Sequence, residues 1–500
     1  MKKLLLLALA TCFCANTNVR ADGFRDAFGP RFRGEDSNFV RPAGPKKGLD
    51  TLHRWNLIAI NASGLDHTPV APGDPRVFGE QIGPGRSSRA MAIVHIAIFD
   101  SVNALERDYR NYTGVRLRHH DDDVSLDAAI AQAAHDTLAV LYPSQAASFD
   151  ANLADDLAKI DNNKRRNNGI DLGQRAAAAI LALRVGDGSE IPEPRVGVNY
   201  FTSNLAGPWR QDPISLIPLA LGAHWGECVP FVLNSASQFR IPPPPSMTSH
   251  DYATAYNEVQ RLGGDGFVTP TLRTATQTFI GTFWAYDGTP SLCAPPRLYN
   301  QLVVQIADRA KLKTGELARL LALANTAMAD AAMSVWDSKY FYDFWRPITG
   351  IRESDPGTGP TGTGDGNPQT IGDPNFMPLG APASNLAGPN FTPPFPSYPS
   401  GHAGFGGAVF QTLRRFFGTD HVAFTFVSDE FNGITKDNKG NVRPFMPRSF
   451  TSLSQAAEEN GQSRIYLGIH WSFDKTQGIA QGRRIGDYVF DNAFTPISKK

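Results

Sequence analysis

Alanine- and leucine-rich stretches of helical length and period recur along this chain from about residue 86 onward, while sustained strand alternation is scarce. The stretches fall at 86–106, 124–141, 144–160, 172–185, 251–262, 299–312, 315–345, 401–417 and 452–467. So many apolar helical faces must bury one another, which predicts an all-α fold with bundle-like packing. Residues 22–50 read as an arm. Long irregular stretches at 186–249, 350–399 and 430–450 interrupt the helices, the second of them rich in Gly, Pro, Asn and Thr. Loops of that length commonly act as lids or rims of a site. A boundary near residue 245 divides the chain into two helical halves, 22–245 and 246–500.

With 500 residues, 41% of them hydrophobic, the chain can bury a large core. Its formal net charge of zero gives no field to steer nucleic acid or an anionic membrane surface. Lys2 and Lys3, the apolar run 4–15 and Val19-Arg20-Ala21 form a signal-peptide pattern over residues 1–21. Cleavage is expected after Ala21, with export to the periplasm or beyond; a lipoprotein site at Cys12 fits less well behind Thr11. No later run approaches the roughly 18 apolar residues of a membrane span. Cys228 and Cys293 remain after cleavage, and the sequence allows both a disulfide and two buried thiols.

Three separated segments carry an inventory suited to a tetrahedral oxyanion. In Lys339–Pro347, the lysine and Arg346 are seven residues apart, about 20° from eclipsed on one helix face. Trp336 lies one turn earlier, and Pro347 is expected to stop the helix just after the arginine. In Pro399-Ser400-Gly401-His402, Ser400 is a natural N-cap before the run 403–417. The free N–H groups of that helix start, with Gly401 allowing close approach, make an anion seat, and His402 is placed for proton exchange. In 463–474, Arg464 and His470 cannot share one helix face unless the helix breaks, and Gly468 is the place for it. Asp474, four residues after His470, can hold the second imidazole nitrogen and fix its tautomer. Singly, each segment also reads as an ordinary amphipathic helix, a routine cap or a core histidine.

Together the three segments match K-x6-R-P, P-S-G-H and S-R-x5-H-x3-D, and the chain resembles the vanadium haloperoxidase and type 2 phosphatidic acid phosphatase superfamily over roughly residues 270–480. A weaker likeness extends to 89–100 (RAMAIVHIAIFD). Phe395-Pro396 ahead of the P-S-G-H run, Trp336 three before Lys339, and FWAYDG at 283–288 make it similar to the chloroperoxidase branch in particular. The resemblance implies vanadate as cofactor, with His470 as the metal ligand. Lys339, Arg346, Ser400, Gly401 and Arg464 would hold the vanadate oxygens. His402 would act as acid–base, Lys339 would polarise peroxide, and Asp474 would support His470. Trp336 and Phe395 would line the halide approach, and Asp287 would pair with Arg464. The implied reaction oxidises bromide or chloride with hydrogen peroxide to a hypohalous-acid-like species that halogenates small organic acceptors. A secreted acid phosphatase on the same scaffold, with His470 as nucleophile, is the alternative.

Other features have plainer readings. His119-His120-Asp121-Asp122-Asp123 reads as a solvated loop ahead of a helix, Asn162–Asn168 as a polar helix–helix connection, and His95 as a core histidine. His224 and Trp225 take no assignment.

Overall fold

Two helices set the frame because they have no polar face. In the computed structural model, which describes residues 23–34, 50–118 and 123–497, every residue from Ser87 to Ala104 and from Leu317 to Trp336 is buried. Helices apolar all round must lie inside the molecule. They are two of fourteen α-helices in the described residues: α1 (Gly23–Phe28), α2 (Thr51–Asp66), α3 (Gly83–Glu106), α4 (Leu126–Leu141), α5 (Ala146–Leu157), α6 (Asn163–Leu183) and α7 (His250–Leu262), then α8 (Ala275–Phe283), α9 (Pro295–Ala310), α10 (Thr314–Tyr342), α11 (Pro347–Arg352), α12 (Gly401–Phe417), α13 (Leu453–Tyr466) and α14 (Ser472–Asn492). The two central helices, α3 and α10, pack on each other. On one side α3 meets α4 and α6; on the other α10 meets α9, α12 and α14. The two halves divided at 245 thus share one large core, which draws residues from Leu52 to Phe494.

The all-α expectation is met, with one small addition. β1 (Phe424–Phe426) and β2 (Arg448–Phe450) form an antiparallel ribbon with Phe424 opposite Phe450. Polar groups inside the core hold loop backbone. Asp330 on α10 accepts the N–H groups of Phe231, Val232 and Leu233 at 2.6, 2.8 and 3.0 Å. Asp100 on α3 accepts those of Tyr112 and Thr113 at 2.8 and 2.7 Å. Burial raises both carboxyls, Asp330 to about 6, against the pull of the N–H groups. His95 is a core histidine, as expected, 3.3 Å from the Asn300 amide.

Some elements differ from the sequence expectation. The run Asn162–Asn168 is not a connection: Asn162 caps α6, its side chain accepting from the Arg165 N–H at 3.0 Å, and the polar residues after it form the exposed first turns. Capping stabilises a helix start without apolar periodicity. Helix α14 is absent from the sequence expectation because Gly478, Gly482 and Gly486 dilute its pattern. Those glycines face α12. A Cβ on Gly482 would lie 2.1 Å from the Gly404 carbonyl oxygen, so the two backbones touch. Cys228 and Cys293 are both free and buried. The signal-peptide pattern and residues 119–122 lie outside the described residues.

His53 bridges α2 and α9. Its Nδ1 meets Asp50 at 2.6 Å and its Nε2 meets Asp308 at 2.7 Å, and the Asp50 hydrogen bond leads in lifting its pKa from 6.5 to about 9. A raised folded-state value adds stability that is complete below pH 6.5 and lost as pH climbs through about 9. Thermal melts between those pH values should therefore fall in the wild type and flatten in His53→Gln, with a difference of no more than about 1 kcal/mol for so exposed a pair. Gly482→Ala should force α14 off α12 and lower stability by about 1–3 kcal/mol, read from urea unfolding.

Candidate functional site

The site lies where α10, α12 and the α13–α14 turn converge, with the loop 285–288 as a fourth wall. Helix α10 does not run through to Arg346. It ends at Tyr342, where Asp343 takes a left-handed φ of 48°. Arg346 then stands as the N-cap residue of α11, with Pro347 in its first turn. The expected stop is thus a start, because a proline, lacking an N–H, suits the first helical position. Lys339 and Arg346 still reach one place, the lysine from the last turn of α10 and the arginine from the link to α11.

Both cations are fully buried, and so is Arg464. Burying such charges costs several kcal/mol each unless partners compensate. The compensation comes mainly from backbone carbonyls. Lys339 Nζ donates to the carbonyls of Pro396 (2.8 Å), Ser397 (2.9 Å) and Pro399. It also lies 5.1 Å from the Phe395 ring centre and 5.6 Å from that of Trp336. Arg346 donates from Nε to the Phe395 carbonyl at 2.9 Å and from Nη1 to that of Ile469 at 2.8 Å. Arg464 Nη2 donates to Asp287 at 2.6 Å. Burial and then Arg346 lower the Lys339 pKa, and burial leads in lowering Arg346 to about 9.

The break at Gly468, with φ of 71°, separates α13 from α14 and lets His470 turn back toward Arg464's side. Its Nδ1 donates to Asp474 Oδ2 at 2.7 Å. The Nε2 lone pair is thereby left facing Arg346 Nη1, at 2.9 Å. His402, in the first turn of α12, donates from Nε2 to the Ala285 carbonyl. A carbonyl only accepts, so Nδ1 is the basic nitrogen of that ring. Burial first holds both imidazoles neutral, well below their ordinary range; Arg464 adds most to this at His402 and Arg346 at His470. Asp474 and Asp287 are shifted upward by burial. Ser400 caps α12 as expected, accepting from the Ala403 N–H at 3.4 Å.

His402, His470, Arg464, Asp287, Gly401, Trp336 and Phe395 line one cavity, while Lys339, Arg346, Ser400 and Asp474 back them. All eleven residues singled out in the sequence are thus at or directly behind one place. Three buried guanidinium nitrogens there, Arg346 Nη2 and Arg464 Nε and Nη1, have no partner among the described residues. Buried donors are nearly always satisfied. With neutral histidines, three cations face two carboxylates, so the seat carries a net positive charge. This donor set and charge fit a tetrahedral oxyanion such as vanadate, with His470 Nε2 as the nitrogen ligand.

Sequence reasoning missed Ser397, whose hydroxyl donates to Asp474 Oδ2 and lies 3.4 Å from His470 Nδ1. It also missed Ala285, whose carbonyl orients His402, and Tyr299 and Asn460, which hold the His402 carbonyl at 2.8 and 2.9 Å. Backbone partners leave no mark in residue type, and Ser397 looks like any loop serine between prolines.

A helical frame enclosing a positively charged, histidine-bearing oxyanion seat is the class that the fold and site define. The family description of a VCPO second helical-bundle domain matches residues 319–499. The chain is 30% identical over 503 residues to the vanadium chloroperoxidase of Curvularia inaequalis, covering 84% of this chain and 78% of that protein. Its fold is similar to that of a bacterial vanadium-dependent iodoperoxidase, with a TM-score of 0.69, 23% identity and coverage of 91% of this chain and 100% of that one. It is also similar to a holo-type bacterial vanadium-dependent chloroperoxidase, with a TM-score of 0.58, 17% identity and coverage of 92% and 98%. The chain belongs to the vanadium haloperoxidase family.

Removing the Ser397 hydroxyl would leave Asp474 one donor short and loosen its hold on His470. Ser397→Ala should weaken orthovanadate binding about tenfold, measured by equilibrium dialysis, with little change in melting temperature.

Proposed function

We propose that the protein is a vanadium-dependent haloperoxidase that oxidises bromide or chloride with hydrogen peroxide, acting outside the cytoplasm. The balance is X⁻ + H2O2 + H⁺ → HOX + H2O. The observation that carries this reading is the set of unpartnered Arg346 and Arg464 nitrogens beside an imidazole whose Nδ1–H is held by Asp474, which leaves Nε2 as its basic nitrogen. The chemistry that vanadate supplies when bound is Lewis-acid activation of a peroxide oxygen toward halide, without change in its own oxidation state.

The chain's own residues supply the rest. With vanadate bound, His470 Nε2, which now meets Arg346 Nη1 at 2.9 Å, would be its nitrogen ligand. The free nitrogens of Arg346 and Arg464, with the Gly401 N–H at the start of α12, donate to the oxyanion oxygens. His402, neutral and basic at Nδ1, would take a proton from hydrogen peroxide in the cavity and would return it to the leaving oxygen. Lys339 keeps a fixed positive potential on the seat. Its three donor directions are spent on carbonyls, so a hydrogen bond to peroxide requires it to release one of them. Trp336 and Phe395, with ring centres 4.9 Å apart, form an apolar wall that limits water beside the seat.

The deciding experiment is a paired assay on metal-stripped protein. Orthovanadate, hydrogen peroxide and bromide or chloride should restore halogenation of a dimedone dye, and His470→Ala should lose more than about a hundredfold of it. Brisk release of phosphate from p-nitrophenyl phosphate that vanadate merely inhibits, with no halogenation for any halide, would transfer the chain to phosphatase chemistry.

A further inference from the structure

A second cavity, sharing no residue with the oxyanion seat, opens at the C-terminal end of α3. Its volume of about 520 Å³ lies in the range of small-molecule sites. Arg107, Arg110 and Arg116 line it, and among the described residues no carboxylate does. All three arginines are exposed, and their guanidinium groups have no hydrogen-bond or ion-pair partner among the described residues. Nearby arginines do not share that condition: Arg118 meets Asp171 at 3.0 Å, and Arg175 meets the same carboxylate at 2.8 Å. Within residues 106–118 four arginines stand against Glu106 and Asp108, a local excess of positive charge in a chain whose net charge is zero. The cavity is also firmly held. Asn103 Nδ2 donates to the Tyr109 carbonyl at 2.7 Å, and Asn103 Oδ1 accepts the Tyr109 N–H at 3.0 Å. The Arg110 N–H donates to the Thr495 carbonyl and the Ile497 N–H to the Asp108 carbonyl, each at 2.9 Å. Arg107 takes a left-handed φ of 59° where α3 ends, a position that glycine fills without strain. Between the arginines the wall is apolar, from Tyr109, Val115, Leu117 and Ile497.

We infer that this cavity is a binding site for a small organic anion, one with an apolar body and at least two negative charges carried on carboxylate or phosphate groups. Three guanidiniums without counter-charge repel one another, and an anion relieves that repulsion as it binds. Each guanidinium presents a planar fork of donors that matches the edge of a carboxylate or phosphate. A monovalent ion would leave most of the charge unanswered, and a bare inorganic ion would leave the apolar wall against water. A cation is repelled, and an uncharged ring gains nothing from the arginines. The loop that carries Arg110 and Arg116 is anchored to α3 and to the segment 495–497, so little ordering is required when the anion arrives. The site is separate from the oxyanion seat, and the inference does not rest on the haloperoxidase reading.

The test is isothermal titration calorimetry on vanadate-loaded protein, with benzene tricarboxylate (trimesate) as the carboxylate probe and benzylphosphonate as the phosphate-like one. At least one should bind saturably, with a Kd below about 200 μM at low salt, and weaken at least about fivefold at about 250 mM salt. Benzenetrimethanol, the ring of trimesate without its charges, should not bind. Arg107→Gln, Arg110→Gln and Arg116→Gln should each weaken the bound probe at least about threefold, and the triple variant should abolish binding. Melting temperatures should stay at the wild-type value, because these side chains hold nothing in the fold. Arg483→Gln, which removes an exposed arginine on α14, should leave binding unchanged. Tighter binding of trimesate or of benzylphosphonate tells a carboxylate ligand from a phosphate one, and either supports the site. Absence of saturable binding by both probes, binding that survives the triple variant, or equal loss in Arg483→Gln would overturn it. The readout follows the arginines of the cavity and not turnover, so it stands whatever reaction the oxyanion seat performs.

Discussion

Positive charge buried without matching negative charge is the constraint around which this molecule is organised. Lys339, Arg346 and Arg464 are at most 1% exposed, and among the described residues Asp287 and Asp474 are the carboxylates that answer them. The remaining compensation comes from dipoles. The run Pro393–Pro399 places proline at four of its seven positions, so it carries few N–H donors to repel a cation. Its carbonyls at Phe395, Pro396, Ser397 and Pro399 turn instead to Lys339 and Arg346. Carbonyls stabilise the cations without neutralising them, and the seat keeps its appetite for an anion.

Holding those charges still requires close packing behind them. The glycines of α14 against Gly404 bring two backbones into contact, which fixes Asp474 on one helix relative to Ser400 on the other; the Ser400 N–H donates to the Asp474 carbonyl at 3.0 Å. That contact ties the start of α12, which offers the N–H groups, to the start of α14, which orients His470. A fully buried α10 supplies the rigid axis from which Lys339 and Trp336 project. Flexibility here would dissipate the electrostatic field that fixed charges provide without reorganisation.

Much of this was legible in the residues. The Ser400 cap, the break at Gly468 and the His470–Asp474 pair are local in sequence, governed by helix geometry and a few rotamers, and they stand as read. The unpaired cysteines, the capped polar start of α6 and the glycine-diluted α14 were not legible. Each depends on a neighbour that the local pattern does not name. The role of Ser397 was hidden for the same reason: nothing about a serine between prolines indicates that a carboxylate from another helix will sit on it.

The sequence by itself determined the kinds of groups available, the helical frame, and the short-range geometry within each motif, because these follow from composition, periodicity and bonds spanning one turn. Only the tertiary structure decided which histidine nitrogen is basic, which guanidinium nitrogens remain without partners, and that the arm at Phe28 closes one wall of the cavity. Those outcomes depend on carbonyls and side chains brought together from distant segments. Hydrogen bonding and burial act through space, and their effect on charge and tautomer is set once the chain has folded.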